Sequence, residues 1–506
     1  MLSRTASDVS MRSVTDKDLV LNTDALATAV TLSASSSSFP GADDEIVDSI
    51  AKPDDYSARL FSGYLPLANG GEAFYFLAES QSEEVLEKDP VLLWLNGGPG
   101  ASSLAGCFTE NGPLLVNDDG QSVRVNEYAW NKNAHLLCIE SPVGVGFSYN
   151  SSGVYVADDL SQADDLADGE KLVVNEYGWN KNANFICIES PIGVGFSYNA
   201  SGEYVSDDLS QAEDLYDGLQ QFFTKFPHLR ENDFIISGES YGGIYVPTTA
   251  RAIVNGNLKG DLPKINLKKF VVGNGMNEFS GLSIILYAYY HGLISTQEYQ
   301  QVRSDCPHFQ EYQPSASFFD PAADPKCSES TLNVMAKLVF NHINMYNVYG
   351  TCAGTTEEGV KELMQALMTP QNGLPHPIGN PMTMCLNSTQ LDVYFNLDEM
   401  SAGLLGIDQE KLGNAQLLDY SSTLQSQVTP IWKYLLAHGV EGVIYHGDAD
   451  MVCDFIGGLW AVESLNLQRE GKRAPWMVEG AGHLVPQWKP VEAKRMLDIF
   501  ILEREG

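Results

Sequence analysis

The 506-residue chain is short of positive charge: 30 lysines and arginines face 66 aspartates and glutamates, for a formal net charge of −36. No Lys/Arg cluster interrupts that background, which excludes a partner held through nucleic-acid phosphates. No run approaches the ~18 apolar residues of a membrane span. The nearest, around Leu282–Leu293, is broken by tyrosines and a histidine, so no transmembrane helix is expected. None of the cysteines forms a C-x-x-C pair, and zinc-ribbon and thioredoxin readings fail with it. Met1–Asp18 is charged and has no apolar core, so no signal peptide is visible there.

What the chain does contain is enough for a large core. Hydrophobic residues make up 44% and charged residues 19%, a composition incompatible with global disorder. At ~150 residues per domain the length suggests about three domains, but one elaborated α/β enzyme reaches the same size. The surplus negative charge repels itself at neutral pH and is relieved by protonation, which fits a mildly acidic compartment. Of eight cysteines, Cys306, Cys327, Cys352 and Cys385 share one irregular stretch rich in Pro, Asn and Thr. Two disulfides stapling a loop-rich insertion are expected, in an oxidising compartment. Sequons at Asn150, Asn199 and Asn387 fit a secretory route.

Residues 1–54, rich in Ser, Asp and Ala, read as a loosely ordered leader, and 55–506 as the folded domain. Alternating aromatics in Phe61–Tyr64 and Glu72–Leu77 predict a strand pair turned at Gly70-Gly71. Short apolar runs at Val91–Leu95, Phe234–Ser237, Phe270–Val272 and Val443–Tyr445 suit buried parallel strands. Asp207–Phe226 carries apolar residues at helical spacing: Leu209, Ala212, Leu215, Leu219, Phe222 and Phe223. Strands of this kind alternating with helices mean an α/β sheet. One segment occurs twice: 126–169 and 175–218 align without gaps at an offset of 49, with 34 of 44 positions identical.

Gly238-Glu239-Ser240-Tyr241-Gly242 follows a predicted strand and precedes a plausible helix start. That is the context of a G-x-S-x-G elbow, whose glycines allow the strained turn that lifts the serine hydroxyl above a sheet. About 0.3 such pentapeptides are expected by chance in a chain like this, so the motif needs company. Asp448 and Asp450 follow the strand Val443–Tyr445, and His483 comes near the C-terminus. Ser, Asp, His is the chain order of an α/β hydrolase. The histidine takes the serine proton, and a buried carboxylate fixes its tautomer and steadies the imidazolium. Asn96-Gly97-Gly98-Pro99-Gly100 directly follows a predicted core strand and offers backbone N–H groups to an oxyanion. No Lys follows, as a Walker loop demands.

Together WLNGGPGASSLAG, ESPxGVGFSY, GESYGGIYVP, YHGDADMVC and GAGHLVP resemble the serine carboxypeptidase family, from roughly Asp55 to the C-terminus. The resemblance implies an α/β-hydrolase fold: a central, mostly parallel sheet flanked by helices, with a helical, disulfide-bearing cap at about 280–395. It implies hydrolysis of C-terminal peptide bonds at acidic pH, on peptides or proteins with a free C-terminus, with no metal or organic cofactor and no membrane partner. A secreted or vacuolar/lysosomal location follows from it. Position by position it makes Ser240 the nucleophile, His483 the base and Asp450 the orienting acid. It assigns the oxyanion hole to Gly98 and Tyr241, and the substrate carboxylate to Asn96, Gly97, Glu110 and Glu239. Leu484 and Cys453 line the side-chain pocket. Acidic side chains beside a substrate carboxylate repel it when ionised but donate to it when protonated, which agrees with work at acidic pH. His446 is expected to be structural. An acyltransferase or esterase on the same scaffold, or an inactive binding protein whose core the duplication has spoiled, are the alternatives.

The chain departs from the family in places. Ala101 stands where a cysteine usually follows GGPG, and its usual partner is missing from Tyr420–Leu436, so Cys107 is expected to be unpaired. The ESPxGVGFSY segment is single in the family and double here. A hydrolase sheet has one slot for the strand ending in Glu-Ser-Pro, yet Leu136–Ile139 and Phe185–Ile188 both qualify. The longer amphipathic pattern after copy two predicts that copy two supplies the core strand and helix, with much of copy one, near Asn126–Lys171, displaced to the surface or poorly ordered.

Overall fold

The computed structural model describes residues 56, 58–66, 71–81, 88–97, 102–117, 123–132, 134–140, 175–179, 184–188, 198–199, 205–306, 325–340, 343–350, 419–421, 428–468 and 480–502. The chain divides into two compact units, Met1–Ser38 and Phe39–Gly506, and the described residues belong to the second. The leader, Gly98, Asn150, Asn387, Cys352, Cys385 and the expected cap beyond 350 lie outside the described residues.

Eight strands form the body of the main sheet: β1 Leu60–Pro66, β2 Gly71–Ala78, β3 Val91–Leu95, β4 Ala134–Glu140, β5 Asn184–Ile188, β6 Phe234–Ser240, β7 Leu267–Gly275 and β8 Glu441–Tyr445. Their spatial order is β1-β2-β5-β4-β3-β6-β7-β8, and the two-residue strand Tyr198–Asn199 joins β2 as a ninth. β1 and β2 pair antiparallel from Leu60↔Ala78 to Pro66↔Glu72, as their alternating aromatics predict. From β5 across to β8 every neighbouring pair is parallel. Parallel strands are covered on both faces, so they read as unbroken apolar runs, and all five residues of β3 are buried.

The two faces carry separate cores. Leu93, Leu95, Ile236 and Val272 pack with helices α2 (Asp208–Lys225) and α3 (Gly242–Lys259), whereas Leu92, Trp94, Ile235 and Val271 pack with the short helix α1 (Ser103–Thr109). Asp207 caps α2 by accepting from Leu209 N and Ser210 N. The expected apolar face of α2 is buried except at Leu209, which is 47% exposed. Leu209 lies in the first turn, and the core cluster takes its first α2 residue only at Leu215. Beyond β7, α4 (Ser280–Tyr290), α5 (Thr296–Asp305) and α6 (Pro325–Phe340) form a helical subdomain stapled by Cys306–Cys327. Its core includes Tyr346 and runs on to Met451, Val452 and Cys453.

The duplication overturns the one-slot expectation. β4 comes from copy one and β5 from copy two, and both lie inside the sheet, between β3 and β2. They pair parallel as Leu136↔Phe185, Leu137↔Ile186 and Ile139↔Ile188, each pair joining equivalent positions of the two copies. Near-identical strands share one hydrogen-bond register, so the second pairs beside the first without a slip. Copy two supplies α2, as the amphipathic pattern predicts. Copy one nevertheless takes the place beside β3, and its first residue, Asn126, donates to the carbonyls of Glu110 and Gly112 at 3.2 and 2.8 Å. For the strand 134–140 displacement fails, because a sheet can widen by a strand; the rest of copy one from 141 onward lies outside the described residues.

A proline removes a ladder hydrogen bond wherever both neighbours of a strand are paired. Leu137 pairs with Leu93 and Ile186, and Ile186 pairs with Leu137 and Leu77. Leu137→Pro is therefore expected to cut soluble yield and the unfolding midpoint as severely as Ile186→Pro. A Leu137→Pro protein of parental stability is the result that returns copy one to the surface.

Candidate active site

β6 ends at Ser240, whose φ of 59° is left-handed for a residue with a side chain. α3 begins two residues later at Gly242. The turn is tight enough that its glycines are compulsory: a Cβ on Gly238 would lie 2.6 Å from Leu95 O, and one on Gly243 2.3 Å from Met276 O. Gly97, at the end of β3, approaches the elbow just as closely, a Cβ there falling 2.3 Å from Tyr241 N. Gly97 is thus laid against the serine turn, with no side chain of its own between them.

The sheet's C-terminal edge also carries the acid and the histidine. Asp450 is fully buried, and its Oδ2 accepts from His483 Nδ1 at 2.7 Å. The same oxygen takes Asn274 Nδ2 at 2.7 Å, and Val452 N donates to Oδ1 at 2.9 Å. With Nδ1 facing a carboxylate, the imidazole is set for its Nε2 to accept a proton. That nitrogen is buried and makes no hydrogen bond among the described residues. Asp448, the other aspartate of the turn, instead receives Gly480 N and Ala481 N at 2.8 and 3.1 Å and so clamps the loop that carries His483. His483 N donates to Tyr346 O at 2.8 Å, and its ring meets the Tyr346 ring edge-on at 4.9 Å. Gly447 lets the two loops touch, since a Cβ there would lie 2.2 Å from Gly482 O.

Glu110 and Glu239 form the third component. Both are buried, and their side chains hydrogen-bond to one another. Burial pushes Glu110 up to about 7 despite hydrogen bonds from Glu239 and Asn96. Burial, and then the charge of Glu110, hold Glu239 well above the usual carboxylate range. One shared proton is the stable state of such a pair. Asn96 orients it: Trp94 Nε1 and Gly106 N donate to its Oδ1 at 2.9 and 3.1 Å, which leaves Nδ2 to reach Glu239 Oε1 at 3.1 Å. Glu110 Oε2 and Glu239 Oε2 receive nothing from any other described group.

The expected residues therefore gather at one edge: Asn96, Gly97 and Tyr241 around the elbow, Glu110 and Glu239 beside it, and Asp450 with His483. Cys453 is buried with a free thiol, and Leu484 is partly exposed next to His483. His446 is structural, its Nδ1 bonded to Cys453 O at 2.9 Å. Cys107 corrects the expectation of a free thiol: it is buried and disulfide-bonded. A bridge needs two suitably placed Cβ atoms, not the family's habitual partner. Sequence reasoning missed Asn274, Tyr346 and Tyr445. The first was legible only as an asparagine between two glycines. The hydroxyl of Tyr445 is raised by burial and by Glu239 and Glu110, and its ring lies across Gly273, whose Cβ would meet Tyr445 Cζ at 2.2 Å.

Comparison with known proteins settles the family. The family model for serine carboxypeptidase matches residues 51–168 and 165–480, the two matches meeting where copy one ends. This chain belongs to the serine carboxypeptidase family. The lysosomal protective protein of Mus musculus is 30% identical over 492 residues, covering 88% of this chain and 90% of its own. Serine carboxypeptidase-like 26 of Arabidopsis thaliana is 29% identical over 491 residues, covering 90% and 92%. A prohormone-processing carboxypeptidase from Saccharomyces cerevisiae shares the fold, with a TM-score of 0.59 at 20% identity over 92% of this chain and 97% of that one. As a serine carboxypeptidase the chain is a hydrolase of peptides on an α/β-hydrolase scaffold. No described helix is long and apolar enough to cross a membrane.

Other buried acids in this carboxypeptidase share the upward shift. Burial raises Asp454 to about 7, and burial with Asp217 and Glu213 raises the half-buried Asp214 to about 8. Each is protonated in the fold at a pH where the unfolded chain has ionised it. Its contribution is whole below the unfolded value and is lost as pH rises through the folded one. His228 and His446 are lowered by burial and act in the opposite sense, but only below the ordinary 6.5. Between pH 6.5 and 8 these acids set the trend among the described residues, so the thermal unfolding midpoint should fall as pH rises across that window. A midpoint that climbs instead would mean that these acids are ionised in the fold.

Proposed function

We propose that this serine carboxypeptidase releases the C-terminal residue of peptides through an acyl-enzyme on Ser240. The observation that carries the reading is the buried, hydrogen-bonded pair Glu110–Glu239, with Glu239 directly before the serine. A pair that holds one proton can donate to a substrate carboxylate, where two ionised carboxylates would repel it. Asn96, the backbone of Gly97, Glu110 and Glu239 hold that carboxylate, and Leu484 with Cys453 lines the pocket for the departing side chain.

Ser240 Oγ attacks the scissile carbonyl carbon while its proton passes to His483 Nε2. Asp450 keeps Nδ1 protonated and steadies the imidazolium. The N–H groups of Gly98 and Tyr241 receive the oxyanion. The C–N bond breaks as His483 returns the proton to the leaving amine. A water, deprotonated by the same nitrogen, then cleaves the ester. A secretory or lysosomal route is supported by the Cys306–Cys327 disulfide and by the lysosomal name of the mouse relative. Acidic working pH follows from the proton that the pair must keep.

A fluorophosphonate probe tests the assignment. Covalent label should map to the peptide containing Ser240, vanish in Ser240→Ala and be blocked by His483→Ala. Label of parental intensity in folded Ser240→Ala is the outcome that removes Ser240 from the chemistry.

A further inference from the structure

Asn274 stands between Gly273 and Gly275 at the end of β7, fully buried, with a φ of 40°. Its Nδ2 donates to Asp450 Oδ2 at 2.7 Å, the oxygen that also receives His483 Nδ1, and its Oδ1 accepts from Gly447 N at 3.1 Å. One side chain therefore holds the carboxylate and the backbone of the turn that presents it. The same stretch of backbone is fastened to the nucleophile: Met276 N donates to Ser240 O at 2.8 Å, and Gly243, in the first turn of α3, packs directly on Met276. Ser240, Met276, Asn274, Asp450 and His483 form one chain of contacts.

The choice of residue follows from two demands. The backbone is left-handed, which glycine, asparagine and aspartate tolerate and other residues resist. The side chain must donate to a buried carboxylate. Glycine has no donor, and aspartate would set a second charge against Asp450. Asparagine meets both demands, and strain of this kind persists where the surroundings over-determine it.

We propose that Asn274 is a positioning residue for the reaction. It fixes Asp450 so that Oδ2 faces His483, and it sets the acid turn at its distance from Ser240. The inference rests on the triad assigned under Proposed function.

Asn274→Gly in the full-length enzyme separates this role from a structural one, because glycine accepts the positive φ without strain. The unfolding midpoint should fall only modestly, relief of the positive φ offsetting part of the lost hydrogen bonds, while kcat falls about ten- to a hundredfold, the scale of a lost hydrogen bond to a charged group. KM should stay within about twofold, and fluorophosphonate labelling of Ser240 should slow in step with kcat. Asn274→Asp, isosteric and tolerant of the backbone, should show the same loss of kcat and decides the matter if the glycine variant does not fold. Parental kcat and labelling rate in either folded variant overturns the inference. If the parent enzyme takes no label at Ser240, the triad reading has failed instead, and the two failures are told apart.

Discussion

Two carboxyl groups in contact and out of water cannot both be ionised, and the active site is arranged around that constraint. Glu110 ends α1 and Glu239 precedes Ser240, so the pair forms only when α1 folds back over β3 and β6. Asn96 is the gauge of that fit. Its Oδ1 is occupied by Trp94 and Gly106, so its amide nitrogen must face Glu239. The helix, the strand and the acid pair are fixed together. Asp450 solves the opposite problem, a buried carboxylate next to a histidine, by collecting donors from Asn274, Val452 and His483. One site thus holds acids kept partly protonated by mutual repulsion and burial, and another surrounded by donors.

The sheet tolerates an added strand for a reason that is local and general. A strand is accepted if its register and its faces agree with its neighbours, and a copy of the adjacent strand meets both conditions by descent. Copy two lies between copy one and β2, so the added strand does not interrupt the run β3-β6-β7-β8. The duplicated Asn126–Ala129 and Asn175–Trp179 stretches also pair parallel, in a separate small sheet.

Most of the sheet was legible because its strands are short apolar runs bounded by glycines: Val91–Leu95 coincides with β3, and Val443–Tyr445 lies within β8. Ser240, Asp450 and His483 were legible as motifs, since each lies within a few residues of a turn that cannot be built otherwise. What was not legible depended on distance in space. Tyr346 reaches His483 from the helical subdomain, and Asn274 reaches Asp450 across 176 positions of chain. Neither belongs to a periodic pattern. The place of the copy-one strand was misread because amphipathicity ranks helices against each other, whereas the strand slot was not a competition. Cys107 was misread because pairing was argued from one habitual partner rather than from burial.

The central claim is that a shared proton on Glu110–Glu239 admits the substrate's terminal carboxylate. The direct measurement is KM for a matched peptide acid and peptide amide across pH 5 to 9. With Glu110 raised to about 7, the ratio of acid to amide KM should be lowest in the acidic range and rise through neutrality as the pair loses its proton. A ratio that stays flat over the whole range would contradict the account, because the pair would then play no part in recognising the carboxylate.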